Sequence, residues 1–278
     1  MTATRAMLAG TFAGALVLVL ALRVGVGTGV EPGQAPLRLF CGAAMRPAVQ
    51  PIVEAFEQRH GQAVQVHYGP SNVLLSQLET GPERVDVFLP GDAWYVEQAQ
   101  RGGLVEPSET VAGFRPVIAV RAGNPHGIRH IADLTRPGVR LGVADERSTA
   151  LGRIMPALLT RSGLSADALT PNVRFTAATA PELGMNLGLG HIDASIVWAV
   201  AAHQHEGVEA IEIDAAHNVI APLAIAPVRG EPGHPAAGVL IQFFQQAEAR
   251  RILRQHHFVV PQAGEPLDFQ AYGEVIVE

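Results

Sequence analysis

The chain contains no lysine and a single cysteine, Cys41, among its 278 residues. One cysteine excludes an internal disulfide and any metal site built from several thiolates. Because lysine is absent, all 20 basic residues other than histidine are arginines, and the formal net charge is −6. No stretch gathers these arginines at the density that a nucleic-acid-binding surface needs, so we expect no nucleic-acid partner.

Aromatic residues make up only 5% of the chain, whereas 48% of its residues are apolar. Such a composition and length can fill one large or two medium hydrophobic cores, which excludes a disordered protein. The 11 histidines do not show the spacing of metal ligands. His203 and His205 share a face only on a strand, and the adjacent His256 and His257 share none. We therefore expect no metal centre and no cofactor.

The longest uncharged apolar run lies near the N-terminus, over residues 7–22, between Arg5 and Arg23. This layout is typical of a secretory signal and predicts an extracytoplasmic or periplasmic location. The run is shorter than the ~20 residues that span a bilayer. No A-x-A cleavage site follows it, however. We interpret residues 1–34 as a signal peptide or, alternatively, as an uncleaved N-terminal anchor.

Buried-type strands alternate with amphipathic helices along the rest of the chain. Leu37–Gly42 is predicted as a strand, and Arg46–His60 as a helix with a proline in its first turn. Phe114–Val120 is predicted as one apolar strand, and the alternation restarts after Arg121. Ala236–Gln255 is predicted as a helical tail. The pattern predicts an α/β fold.

We expect this α/β fold to form two lobes with a ligand cleft between them. The first lobe would comprise residues 35–117 together with the return segment 224–278, and the second lobe residues 118–223. The helical tail has no partner of its own class nearby, which favours its return to the first lobe. Two hinge strands, near Pro116–Val120 and Pro222–Ala226, would cross between the lobes.

Several predicted helices begin without an obvious side-chain cap. The segment that starts at Ala44 offers none, so its first N–H groups need water or an external acceptor, which an anion would supply. Ser71 precedes the next helix and is either an N-cap or a donor to a ligand. Thr179 and Glu182 match a capping box, which would leave Ala180 to contribute its N–H alone. The pattern favours an anion-binding protein.

Five segments resemble the periplasmic molybdate-binding proteins, the solute receptors of ABC-type oxyanion importers. These segments lie within about residues 36–261 and read FCGAAMRPAV, YGPSNVLLSQLETG, VDVFLPGDAWYVEQAQRGGLV, RLGVADERSTALGR and ASIVWAV. The resemblance implies a type II periplasmic-binding-protein fold that closes on a tetrahedral oxyanion, molybdate or tungstate. It also implies a monomer without catalytic activity, and an ABC permease and ATPase as membrane partners.

The resemblance places the ligand-binding residues at Ala44, Ser71, Leu151, Ala180 and Trp198. Ala44 stands where the family usually has a hydroxyl residue, and Trp198 where it usually has a tyrosine. Two hydroxyl donors are therefore missing, although the indole N–H of Trp198 is a donor. A different anion or a small organic ligand is the alternative that these departures leave open.

Two other functions are compatible with the sequence. The same scaffold, tethered by its N-terminal segment, would serve as a ligand sensor that reports to a membrane kinase. An enzyme with Cys41 as nucleophile would need a histidine within hydrogen-bonding distance of its sulfur. The apolar neighbours of Cys41 favour a buried, unreactive thiol instead. Arg46 and Arg153 flank the expected anion site and are either solvated helix residues or groups that steer an anion.

Overall fold

The computed structural model describes residues 35–81, 84–230 and 233–260. The predicted signal or anchor segment 1–34 and the chain end 261–278 lie outside the described residues. Within the described ranges, no helix combines the length and the apolar character that crossing a membrane requires.

The described residues form ten strands and eight α-helices. In chain order these elements are β1 (Leu37–Gly42), α1 (Arg46–His60), β2 (Val64–Gly69), α2 (Ser71–Thr80), β3 (Val87–Leu89), α3 (Ala93–Arg101), β4 (Glu109–Phe114), β5 (Pro116–Arg121), β6 (Leu141–Ala144), α4 (Ala150–Arg161), β7 (Val173–Ala177), α5 (Ala180–Gly188), β8 (Ala194–Trp198), α6 (Ala199–Ala202), β9 (Val208–Glu212), β10 (Ala221–Pro227), α7 (Ala237–Phe244) and α8 (Ala247–Gln255). Short 3-10 helices cover Ala43–Met45, Ile131–Thr135 and Ala166–Asn172.

Two five-stranded sheets share one topology. The first sheet has the order β2-β1-β3-β10-β4 and the second the order β7-β6-β8-β5-β9. In each sheet the first three strands pair in parallel, and the fourth strand runs antiparallel to both the third and the fifth. The fourth strand of each sheet arrives from the other half of the molecule. The predicted two-lobe, type II periplasmic-binding-protein fold is therefore confirmed.

The chain crosses between the sheets at Arg115 and again over residues 213–220. The single apolar strand predicted over Phe114–Val120 is wrong, because Arg115 separates β4 of the first sheet from β5 of the second. The Ala199 N–H donates to the Arg115 carbonyl at 2.9 Å, and the Asn218 side chain donates to the Pro116 carbonyl at 3.0 Å. These crossings lie close to the lobe boundaries expected after residues 117 and 223, which stay a prediction.

Apolar side chains fix the helices on the first sheet. Helix α1 buries Val49, Ile52 and Phe56, and it ends at Gly61, whose φ of 66° is the left-handed value that glycine adopts readily. The predicted helical tail, Ala236–Gln255, is present as two helices, α7 and α8, with a short break between them. Both helices pack on α1, and Val259 exchanges two backbone hydrogen bonds with Gly113 of β4.

Six strands of the two sheets point their carboxyl ends at the same place. Strands β1, β2 and β3 of the first lobe each lead into a helix there, and β6, β7 and β8 of the second lobe do so from the opposite side. In open α/β sheets, ligands bind outside the carboxyl ends of the strands. The fold therefore directs six turns at one interlobe space.

Candidate ligand site between the lobes

A small cavity lies where these turns meet. It offers about 30 Å³, and by the same measure one water molecule needs about 10–15 Å³. Residues of both lobes line the cavity, and none of the lining residues among those described carries a charge. The space therefore suits a ligand of a few atoms.

The first lobe closes one side of the cavity with the end of β1 and the 3-10 helix Ala43–Met45. Gly42 precedes this helix and provides no side-chain cap, and Ala43 and Ala44 line the cavity. A Cβ at Gly42 would lie 2.8 Å from the Gly91 nitrogen, so glycine is needed where the ends of β1 and β3 touch. The first N–H groups of this turn have no acceptor within the helix.

Ser71 lines the cavity from the first residue of α2. It is not the N-cap, because Pro70 occupies that position and the helix has no side-chain cap. The Ser71 hydroxyl oxygen instead accepts the Gly91 N–H at 3.0 Å. A hydroxyl that accepts one bond still has its own proton to donate. The simple N-cap interpretation of Ser71 is therefore wrong, and the bond from Gly91 does not use its hydroxyl proton.

The start of α4 forms the facing wall. Thr149 is a true N-cap, since its hydroxyl accepts the Gly152 N–H at 2.8 Å and donates to the Asp145 carbonyl at 2.8 Å. This leaves the N–H groups of Ala150 and Leu151 in the first turn, where the helix has no acceptor for them. Both residues line the cavity. Leu151 thus lies at the cavity, where the resemblance placed a ligand-binding residue.

The start of α5 lacks the predicted capping box. The Thr179 hydroxyl donates to a carboxylate oxygen of Glu182 at 2.7 Å, and the other carboxylate oxygen accepts the Ala178 N–H at 3.3 Å. No side chain caps the helix N–H groups. Ala178 and Thr179 line the cavity, and the predicted site residue Ala180 is the first residue of α5.

Trp198 ends β8 and forms an apolar wall of the cavity. Its side chain is 2% exposed and stacks on Phe114 of the first lobe, with ring centroids 4.7 Å apart and an interplanar angle of 21°. The indole ring therefore bridges the lobes at the hinge. This contact fixes the ring beside the ligand space.

Charged groups lie just behind this neutral lining. Asp92 follows Gly91, is fully buried, and caps α3 by accepting the Trp94 N–H at 2.7 Å. Burial raises the pKa of Asp92 to about 7, against the opposing effects of that hydrogen bond and of Arg153. The Arg153 Nε lies 3.7 Å from the Asp92 carboxylate, and its guanidinium lies 3.6 Å from the centroid of the Trp94 ring.

The two arginines that flank the expected site differ: Arg46 is exposed, as expected of a solvated helix residue, whereas Arg153 is partly buried. Arg46 lies over the Tyr68 ring at 4.3 Å, within the first lobe. Arg153 reaches from the second lobe to the first. Neither belongs to the cavity lining among the described residues.

Cys41 is the buried thiol that the sequence predicted. It is 0% exposed, and burial raises its pKa well above the ordinary value, although Arg46 opposes this. Its sulfur donates to the Gly42 carbonyl at 3.6 Å. Within the described ranges, no histidine pairs with it and no cluster of three potential metal ligands occurs. The thiol is not poised as a nucleophile.

Four of the five predicted site residues, Ala44, Ser71, Leu151 and Trp198, line the same cavity, and the fifth begins α5 beside it. Sequence reasoning missed Gly91, Ser148 and Thr149. A signal for Thr149 was available, because a threonine before an apolar helical pattern is a typical N-cap. Gly91 sits in a Pro-Gly-Asp turn, whose sequence predicts a turn but not what approaches it.

The arrangement of two similar lobes around one cavity defines a solute receptor. Residues 37–259 match the family model of bacterial extracellular solute-binding proteins. The chain therefore belongs to this family, whose members act outside the cytoplasm. Its relatives and structural neighbours are binding proteins, so the chain is a binding protein rather than an enzyme.

Relatives with similar sequences support the resemblance to molybdate-binding proteins. A binding protein of Haemophilus influenzae is 32% identical over 163 residues, which are 59% of this chain and 66% of that relative. The molybdate-binding protein ModA of Mycobacterium tuberculosis is 27% identical over 236 residues, 84% of this chain and 88% of the relative. The resemblance to the periplasmic molybdate-binding protein family is confirmed.

Solved structures support the fold alone, because their sequence identities are low. The periplasmic molybdate-binding protein of Azotobacter vinelandii matches with a TM-score of 0.70 at 17% identity, over 81% of this chain and 100% of that chain. The sulfate-binding protein SubI of M. tuberculosis matches with a TM-score of 0.72 at 19% identity, over 87% and 90%. One fold thus serves receptors for different oxyanions.

Proposed function

We propose that this protein is the exported solute receptor of an ABC importer and that it binds molybdate or tungstate between its lobes. The observation that carries the proposal is the convergence of four helix starts on one uncharged cavity. Three of them, the 3-10 helix Ala43–Met45, α2 and α5, have no side-chain cap. Unsatisfied N–H groups at helix N-termini form a ready anion site.

The chemistry of the lining favours a fully deprotonated oxyanion. Hydrogen bonds from N–H and O–H groups to an anion are about twice as strong as those between neutral groups. The described lining contains no carboxylate that would accept a bond from a protonated oxyanion. Phosphate, which carries a proton near neutral pH, is disfavoured for that reason. Molybdate, tungstate and sulfate carry none.

The size of the cavity favours a single-centre anion over a larger one. About 30 Å³ corresponds to about two or three water-sized spheres, which is too little for a sugar phosphate. Because the tetrahedral dianions have the same charge and similar donor needs, cavity size decides among them. Another anion or a small organic ligand is the alternative, since Ala44 and Trp198 alter the shape of the pocket.

The proposed mechanism is hinge closure. First-lobe donors near Ala44 and Ser71 engage the anion, and second-lobe donors near Leu151, Ala180 and Trp198 complete its shell. The crossings at Arg115 and over residues 213–220 provide the hinge. A monomeric closed receptor then presents both lobes to a membrane permease, which delivers the anion with the help of its ATPase.

Calorimetric titration of the purified protein with molybdate, tungstate, sulfate and phosphate tests the proposal. Molybdate or tungstate should bind most tightly. Ser71→Ala should weaken that binding by about 10- to 100-fold, because a hydrogen bond to a charged group contributes about 1.5–3 kcal/mol. Ser76→Ala, on the exposed face of the same helix, should change nothing. Equal affinity in Ser71→Ala and in the unaltered protein would contradict the proposed donor shell.

A further inference from the structure

A contact between charged and aromatic groups joins the two lobes beside the cavity. Arg153 of α4 belongs to the second lobe, whereas Asp92 and Trp94, at the start of α3, belong to the first. The guanidinium lies 3.6 Å from the Trp94 ring centroid, and its Nε lies 3.7 Å from the Asp92 carboxylate. We call these three residues the interlobe clasp.

The position of the clasp couples it to the ligand site. Asp92 directly follows Gly91, and Arg153 follows Leu151 by two residues; both Gly91 and Leu151 line the cavity. A Cβ at Gly91 would lie 3.5 Å from the Ala150 Cβ, so the two lobes touch at this point. Any opening of the cleft must therefore separate Arg153 from Asp92 and Trp94.

The burial of the clasp makes it a contact of the closed state in particular. Asp92 is fully buried, and the side chain of Arg153 is 23% exposed. A cation that faces a carboxylate and an indole away from water attracts both strongly. In an open cleft, water would solvate the same groups and the attraction would fall. Removing Arg153 would therefore weaken the closed state in particular.

We infer that Arg153 is a positioning residue for ligand retention: the clasp stabilises the closed cleft and thereby slows release of the bound anion. Where it concerns the anion, this inference rests on the proposed function. The interlobe closure itself does not depend on which ligand binds. Ligand enters the open state, in which the clasp is broken, so loss of the clasp should not slow ligand entry.

Stopped-flow fluorescence with molybdate tests the kinetic part of the inference. The chain has two tryptophans, Trp94 in the clasp and Trp198 in the cavity wall, so intrinsic fluorescence reports closure. Arg153→Met should raise the dissociation rate by about 10- to 30-fold without lowering the association rate, as expected for loss of a desolvated cation–π contact and an ion pair. Arg153→Lys should restore part of the slow release, because it keeps the charge.

Interlobe distances without added ligand test the structural part and separate it from the proposed function. Spin labels at Ser76→Cys and Thr160→Cys, one exposed site on each lobe, report the opening, while the buried Cys41 is shielded. Arg153→Met and the milder Trp94→Leu should both shift the distance distribution from that of the labelled parent. If both variants show this shift but the unaltered protein does not bind molybdate, the clasp is supported and the proposed ligand is contradicted.

Two results would overturn the clasp. One is an unchanged distance distribution in both variants. The other is a faster dissociation with unchanged distances, since Arg153 would then act on the anion rather than on closure. A double-mutant cycle with Asp92→Asn adds a further test, because Arg153→Met should cost much less once the buried carboxylate is neutral. Equal costs in both backgrounds would contradict the Asp92 contact.

Discussion

The two ends of strand β8 are chemical opposites. At its carboxyl end, Trp198 faces a cavity whose described lining carries no charge. At its amino end, Asp193 is 3% exposed and faces three basic side chains. Arg140 lies at 2.6 Å, His126 at 3.4 Å and Arg121 at 3.6 Å. Five residues of one strand thus separate a neutral site from a charged cluster.

The difference follows from what each end must do. A buried charge is tolerable when its partner is permanent, and costly when the partner leaves. Asp193 and its three partners all belong to the second lobe, so a movement between the lobes would not separate them. The cavity must release its ligand, and a fixed buried cation would then lose its partner. Backbone N–H groups avoid this problem, because water satisfies them when the anion has left.

The largest effect on binding should come from filling the cavity at the carboxyl end of β8. Gly91→Leu should lower anion affinity by at least about 100-fold, or about 2.7 kcal/mol. A Cβ at this position already lies 3.3 Å from the Ser71 hydroxyl and 3.5 Å from the Ala150 Cβ, so the rest of the side chain would keep the lobes apart. Calorimetric titration with molybdate measures the loss.

Gly238→Leu is the matched control for this substitution. Gly238 lies in α7, and a Cβ there meets nothing within 4 Å. The Gly238→Leu variant should bind molybdate with the same affinity as the unaltered protein. Unimpaired binding by Gly91→Leu would show that the anion site lies elsewhere.

A substitution of Asp193, at the amino end of β8, should change the stability of the protein but not its affinity for the ligand. The Arg140 side chain, together with His126, lowers the pKa of Asp193 to about 2, and such a depression contributes on the order of 2 kcal/mol at neutral pH. Asp193→Asn should therefore lower the free energy of unfolding by about 2 to 3 kcal/mol. Urea denaturation checks this, and molybdate affinity should change by less than about twofold.

The same contribution has a defined pH dependence. Because folding depresses the pKa of Asp193, the stabilisation is complete above the unfolded-state value of about 4 and is lost as the pH falls towards about 2. The difference between the unaltered protein and Asp193→Asn should thus be constant from pH 8 to about 5 and shrink below that. Asp167→Asn, at an exposed site, should show no such difference. A constant gap down to pH 3 would mean that Asp193 acts through packing.

Local sequence signals predicted the elements that short-range physics decides. Helix α1 was predicted to the residue, because its apolar spacing, its early proline and Gly61 all act within the helix itself. Cys41 was predicted to be buried from its apolar neighbours. The alternation of strands and helices was enough to predict two α/β lobes, since that alternation permits few other arrangements.

Contacts between distant residues decided the rest. Ser71 has the sequence of an N-cap, but the Gly91 N–H, twenty residues away, takes its hydroxyl oxygen. Arg153 has the sequence of a solvated helix residue, yet Trp94 of the other lobe covers it. The apolar residues on both sides of Arg115 gave no indication that the chain passes from the first sheet to the second at that residue. Such features depend on how the lobes meet, which no local pattern records.

A smaller effect should come from Glu182, a charged residue beside the neutral cavity. Glu182 holds Thr179 and the Ala178 N–H at the start of α5, so its carboxylate lies beside the proposed anion and repels it. Glu182→Gln keeps one oxygen acceptor, enough for the Thr179 hydroxyl, and replaces the other oxygen with an NH2 group while it removes the charge. We expect molybdate to bind about two- to threefold more tightly, an effect that 0.5 M salt should largely screen.

Glu209→Gln is the matched control, because it changes the net charge equally at the opposite end of the second sheet, where Glu209 pairs with Val120. It should leave affinity within error. If Glu182→Gln weakens binding instead, the carboxylate acts by holding the start of α5 in place. The neutrality of the cavity would then matter less than the rigidity of its turns, and the contrast between the two ends of β8 would rest on Asp193 alone.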